Sequence, residues 1–232
     1  MFQPCYEPAW PASPALSLLA ACFASQREPI FCKDGDQDIY RDLLAEQLDK
    51  AGVEAWAYCL MPNHVHLILR PADEGGLAQP IGAAHRRWAN FVNARGRWRG
   101  HLFDGRFASV VMDEAHLLAA VRYVALNPVR ARLARRAQDW PWSSVGAHLS
   151  GEDDALVTVA PVLARVDQFA DLIETDPDDP AFATIRAAET TGRPLATASF
   201  VTDLELRLGR PIARRAPGRK PSAGSQQQPV LL

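Results

Sequence analysis

Apolar positions recur at helical spacing from Asp38 to Ala51, where Ile39, Leu43, Leu44 and Leu48 share one side. Gly52 follows, where the end of a helix favours a left-handed residue. The period then changes. Val53 to Leu60 alternates as a strand, Met61-Pro62-Asn63 is a turn, and His64 to Leu69 is a second strand, which together make a hairpin. Leu77 to Ala94 returns to helical spacing, interrupted by His85-Arg86-Arg87. Leu102 to Met112 reads as a strand with its own turn at Asp104-Gly105. Asp113 caps a helix that ends before Pro128, because the residue before a proline is unwelcome in helical conformation.

Beyond this point the pattern weakens. Trp140-Pro141-Trp142-Ser143-Ser144 opens an irregular region, and Asp176-Pro177-Asp178-Asp179-Pro180 reads as a surface loop. Ser199 to Leu208 is helical, and residues 216–232 form a low-complexity, disordered tail. The expected divisions are an atypical proline-rich segment at 1–26, a domain at 27–150, a helical extension at 151–215 and the tail.

The order helix, strand, strand, helix, strand, helix is satisfied most simply by an α+β fold, an antiparallel sheet with helices packed on one face. A ferredoxin-like (RRM-like) sheet needs one further strand before the first helix. Leu16 to Gln26 supplies a poor one, so the N-terminal strand is expected to be degenerate or missing.

The 232 residues carry a formal net charge of −2, which alone would argue against a polyanionic partner. Segregation changes that conclusion. Residues 85–136 hold eleven arginines against three acids, residues 151–189 hold ten acids against two arginines, and residues 207–220 hold six basic residues and no acid. Two basic blocks can attract a polyanion that the average would repel. The four cysteines, at positions 5, 22, 32 and 59, form no Cys-x-x-Cys pair, so neither a zinc ribbon nor a dithiol redox motif is suggested, and free thiols in a reducing cytosol are expected. Leu19-Ala20-Ala21-Cys22 imitates a lipoprotein cleavage box, but no Lys or Arg occurs in residues 1–18 to supply the positive region of a signal peptide. No apolar run reaches membrane-spanning length.

The candidate chemistry begins at His64-Val65-His66. Side chains alternate along a strand, so the two imidazoles share a face and can hold one divalent metal ion, with Val65 on the other face. A second half comes from the Asp113 helix. Projected at helical angles, Leu117, Leu118, Val121, Val124 and Ala125 form the core-facing ridge. Tyr123 lies near the opposite side, with Asn127 one turn later and His116 two turns earlier, so a phenol is expected to face outward beside an amide oxygen. A phenol becomes a useful nucleophile when a metal or base assists it, and its covalent phosphate ester preserves phosphodiester energy for rejoining.

These motifs together resemble the HUH single-tyrosine transposases, specifically the REP-associated tyrosine transposases and related insertion-sequence-200-like proteins. The matching runs are Glu28-Pro29-Ile30-Phe31, Ala57 to Leu67 with its Met61-Pro62-Asn63-His64-Val65-His66 centre, Gly105-Arg106-Phe107, Arg122 to Ala131, and Trp140 to Ser144. Gly192-Arg193-Pro194-Leu195 and Ser199-Phe200-Val201 are also similar to that family. The resemblance implies Mg²⁺ or Mn²⁺ on His64 and His66, Asn127 as a third polar ligand, and Tyr123 as the nucleophile. Attack on single-stranded DNA would leave a 5′-phosphotyrosine and a free 3′-OH. Relatives bind imperfect palindromes folded into hairpins, so single-stranded or hairpin DNA is the expected partner, in a cytoplasmic, nucleoid-associated setting. One departure stands out: the His-Val/Leu-x-x-Arg-Gly-like run that relatives carry before Glu28 is absent.

Cations interleaved with indoles suit a backbone-tracking groove with stacking platforms. Arg86, Arg87 and Trp88, then Arg95, Arg97, Trp98 and Arg99, and Arg106 are therefore expected to contact DNA. Arg130, Arg132, Arg135 and Arg136 are placed against a hairpin stem, and Arg210, Arg214, Arg215, Arg219 and Lys220 form a basic arm. A non-catalytic module that binds DNA hairpins is the alternative. A histidine-triad hydrolase is excluded, because the third alternate position is Ile68. Monomer and homodimer both remain open.

Overall fold

The computed structural model describes residues 28–72, 76–103 and 107–212, and the backbone alone of residues 17–23. Arg106, the Asp104-Gly105 turn, Arg214, Arg215, Arg219, Lys220 and the tail lie outside the described residues.

The first six elements run β1 (Ser17–Phe23), α1 (Asp36–Lys50), β2 (Val53–Met61), β3 (His64–Pro71), α2 (Ala78–Gly96) and β4 (Ala108–Met112). They build a four-stranded sheet in the order β2-β3-β1-β4 with every pairing antiparallel, the ferredoxin-like arrangement. The N-terminal strand is present. β1 fills the centre of the sheet, with Ala21 opposite His66 and Phe23 opposite His64 in one register and Ser17 opposite Met112 in the other. Its apolar run of small residues lacks alternation, the usual sign of a strand.

The helices do not keep to one face. α1 and α2 cover the face to which Val65, Leu67 and Leu69 contribute. Cys59, Met61 and Ile68 contribute to a second core under α3 (Glu114–Ala125), α7 (Phe169–Ile173) and α8 (Ala181–Thr191). β2 and β3 are buried on both sides over most of their length, as their nearly unbroken apolar runs require. The remaining helices are short, α4 (Asn127–Arg130), α5 (Val145–Ser150) and α6 (Ala160–Leu163), except α9 (Ala198–Leu208). Both sheet edges are covered by the C-terminal half. Trp142 O accepts from Leu60 N–H at 2.8 Å beside β2, and Leu195 N–H donates to Val111 O at 2.8 Å beside β4.

Trp88 and Arg95, both expected at a DNA surface, are structural instead. The Trp88 indole is 0% exposed and packs with Phe31 and Tyr40, and its N–H donates to Ile30 O at 3.1 Å. Arg95 clamps buried Asp36 with two bonds of 2.6 and 2.8 Å, while the N–H groups of Cys32 and Lys33 also donate to Asp36. Burial alone would raise the Asp36 carboxyl; Arg95 and the two N–H groups outweigh it and hold it below the usual carboxylate range. A depressed folded pKa stabilises above the unfolded value of about 3.9 and is lost as pH falls through the folded value. Asp36→Asn should therefore cost about 1.5–3 kcal/mol near neutral pH. The gap between variant and wild-type melting temperatures should close as the pH is lowered toward the folded Asp36 pKa.

Candidate active site

His64 and His66 leave β3 on the α3 side, with ring centroids 4.9 Å apart and planes at 87°. β3 places them there because the Pro62-Asn63 turn starts the strand at His64, and Ile30 N–H pins that turn by donating to Pro62 O at 2.8 Å. Asn63 Oδ1 lies 2.8 Å from His64 Nδ1. Desolvation, with a further contribution from neighbouring His66, pushes His64 down to about 3. A neutral imidazole is the form that binds a metal.

Asp113 caps α3, as its sequence context predicts, accepting from His116 N–H. His116 stays at that cap, with its Nδ1 against Asp113 Oδ1. It does not line the cavity that holds Tyr123. α3 ends at Ala125, and Asn127 opens α4 with Pro128 in its first turn, so the chain bends at Leu126 and does not stop.

Tyr123 does not face solvent. It is 4% exposed, edge-on to His66 at 5.6 Å and to Phe182 at 5.5 Å, with the Arg130 guanidinium 4.6 Å from its ring centre. The side of α3 opposite the first apolar ridge is covered by α8, a layer that a projection of α3 alone cannot register. The Tyr123 hydroxyl donates to Glu189 Oε2 at 2.9 Å. Burial first, then the Glu189 charge, pushes Tyr123 up to about 12, with Arg130 opposing, so the resting group is the protonated phenol.

A cavity of about 300 Å³ brings together all four residues singled out from sequence, His64, His66, Tyr123 and Asn127, and adds Arg186, Glu189 and Thr190 from α8. Sequence reasoning missed the α8 residues. One signal was available: Glu189 stands seven residues after Phe182 and four after Ile185, a carboxylate set on the buried ridge of its helix.

The residues present include donors that can hold a divalent ion. Two imidazoles share the cavity with the Asn127 amide, whose Nδ2 is buried and without a hydrogen-bond partner. Turning the amide over presents its oxygen instead. Among the described residues no three His, Cys, Asp or Glu side chains are arranged to hold a metal.

The expected DNA-contacting residues separate into two groups. Trp98 is 58% exposed, and Arg86, Arg97, Arg99, Arg132 and Arg135 are exposed. Arg87 and Arg136 are exposed too, but are paired with Glu46 and Asp139. Arg130 turns inward over Tyr123 and Phe182. No helix among the described residues is long and apolar enough to cross a membrane.

A ferredoxin-like sheet with two histidines on a central strand and a tyrosine facing them defines an α+β protein built around a small polar cavity. Residues 17–127, from β1 to Asn127, match the model of the IS200-like transposase family. The fold is shared with a REP-associated tyrosine transposase bound to a REP hairpin, at a TM-score of 0.50 and 15% identity over 68% of this chain and 90% of that one. A candidate transposase from Deinococcus radiodurans R1 aligns at a TM-score of 0.37 and 21% identity over 47% of this chain and 88% of its own. No curated protein matches the chain.

Proposed function

We propose that this protein cuts single-stranded DNA beside a hairpin and rejoins it through a 5′-phosphotyrosine on Tyr123, in the manner of the REP-associated tyrosine transposases. The observation that carries this reading is the single cavity shared by His64, His66, Asn127 and Tyr123. The match of residues 17–127 to the IS200-like family model and the fold shared with a hairpin-bound transposase support it.

His64, His66 and Asn127 would hold Mg²⁺ or Mn²⁺, which when bound supplies Lewis-acid polarisation of a phosphate oxygen. Tyr123 attacks the phosphorus in line. The Tyr123 O–P bond forms as the P–O3′ bond breaks, and the phenol proton ends on the departing 3′-oxygen. The energy of the broken ester is kept in the phosphotyrosine, so a second 3′-OH can reverse the step. Exposed Trp98, with Arg97 and Arg99 beside it, supplies a stacking surface and cations for the single strand.

A hairpin oligonucleotide with a single-stranded flank tests the reaction. Mn²⁺ should release a fragment with a free 3′-OH, and chelation should stop it. His64→Ala and His66→Ala should each lower cleavage at least about 100-fold, the upper range for disturbing a metal ligand's surroundings. Cleavage that persists in chelator would contradict the metal role. One observation favours a binding-only reading, the burial of Tyr123 with its hydroxyl tied to Glu189. That reading predicts salt-sensitive hairpin binding without cleavage.

A further inference from the structure

We infer that Glu189, contributed by α8 outside the family-matched segment, is a positioning residue that sets a metal ligand and the nucleophile with one carboxylate. The inference rests on the proposed strand-transfer reading. Its basis is the division of the two oxygens. Oε2 accepts from the Tyr123 hydroxyl at 2.9 Å, and Oε1 stands 3.2 Å from His66 Nδ1, off the line of a well-aligned hydrogen bond. Oε1 has no other hydrogen-bond donor among the described residues. The Glu189 side chain is 9% exposed and the His66 side chain 2%, so water competes little for either contact.

The chemistry of such a pair is general. A carboxylate facing one ring nitrogen favours the tautomer with its proton on that nitrogen, which leaves the other with a lone pair for the metal. Here the carboxylate favours Nδ1–H on His66 and Nε2 as the metal-binding atom. The same carboxylate fixes the Tyr123 hydroxyl, so the distance between nucleophile and ligand is set by one rigid group and not by two independent side chains. That no three His, Cys, Asp or Glu side chains among the described residues form a metal cluster agrees with Glu189 standing behind the ligands and not among them. α8 holds it in place through Phe182 and Ile185, both buried in the second core, and ends at Gly192 in the left-handed region with φ of 64°. The C-terminal extension thereby completes a site that the family-matched segment begins.

The test uses the full chain as wild type, Glu189→Gln and Glu189→Ala. Mn²⁺ affinity is read by electron paramagnetic resonance without DNA, the His66 tautomer by ¹⁵N NMR, and adduct formation with a hairpin oligonucleotide at saturating Mn²⁺. Wild type should show the Nδ1–H tautomer. Glu189→Ala should mix the tautomers, weaken Mn²⁺ about 10- to 100-fold and slow adduct formation even when metal is saturating. Glu189→Gln, of the same shape, guards against misfolding. Its amide oxygen can still accept from His66, so it should keep the tautomer while losing about tenfold in Mn²⁺ affinity. Variants that match wild type in Mn²⁺ affinity and tautomer would overturn the role of Glu189 alone. A wild-type chain that binds no Mn²⁺ would overturn both this inference and the strand-transfer reading.

Discussion

Tyr123→Phe should abolish the covalent protein–DNA adduct while leaving the fold and hairpin binding in place. Only the hydroxyl is removed. The ring keeps its contacts with His66, Phe182 and the Arg130 guanidinium, so the second core loses no volume. The lost hydrogen bond leaves Glu189 Oε2 without its donor, at a cost of about 1–3 kcal/mol, which melting will register. Hairpin affinity should stay within the range of wild type and keep its salt dependence, because phosphate contacts by exposed arginines do not involve the phenol. A variant that still forms the adduct would remove Tyr123 from the chemistry.

The two indoles near α2 should behave oppositely. Trp88→Ala should destabilise the protein by about 3–5 kcal/mol, the usual cost of emptying a buried aromatic site. The indole is the contact point for Phe31 and Tyr40, at centroid distances of 5.7 and 5.9 Å, and its N–H is the donor to Ile30 O. Trp98→Ala should leave melting within about 0.5 kcal/mol, as an exposed substitution does. It should weaken single-stranded DNA binding by about 1–3 kcal/mol, one stacked base. Trp98 is held in the open by an unusual local backbone. Arg97 adopts φ of 54°, and a Cβ added at Gly96 would come within 2.8 Å of the indole. A non-glycine residue in the left-handed region costs free energy. That cost is consistent with a presented ring. Urea melts and a binding titration on the two variants separate the roles; equal effects on both properties would show the assignment to be wrong.

The sequence made the first half of the molecule legible because its elements are long enough to show a period. α1, the β2–β3 hairpin and α2 fall within two residues of the positions expected from spacing. Asp113 caps α3 as its residue type requires. β1 was hard to see because Leu18 to Phe23 is apolar throughout and so shows no alternation. From residue 145 to 173 the helices are four to six residues long, too short for a helical stripe to emerge. The largest gap concerned orientation. Projecting α3 by itself made Tyr123 an outward phenol, because the layer that buries it is α8, more than fifty residues away in sequence. The four candidate residues could thus be picked out from sequence, but not their surroundings. His64, His66, Tyr123 and Asn127 do line one cavity, while Glu189, which touches two of them, is a lone carboxylate within a strongly acidic segment. The basic residues show the same limit. Spacing alone cannot tell Arg95, committed to Asp36, from Arg97 and Arg99, which are exposed.

The most direct test of the account is to locate the covalent bond. Wild-type protein is incubated with Mn²⁺ and a hairpin oligonucleotide carrying a single-stranded flank. It is then digested with nuclease and protease, and the peptides are sequenced by mass spectrometry. The account predicts a 5′-linked nucleotide phosphate on Tyr123 and an equal yield of DNA fragments ending in a free 3′-OH. A phosphate adduct on any other residue, or cleavage with no adduct, would contradict it.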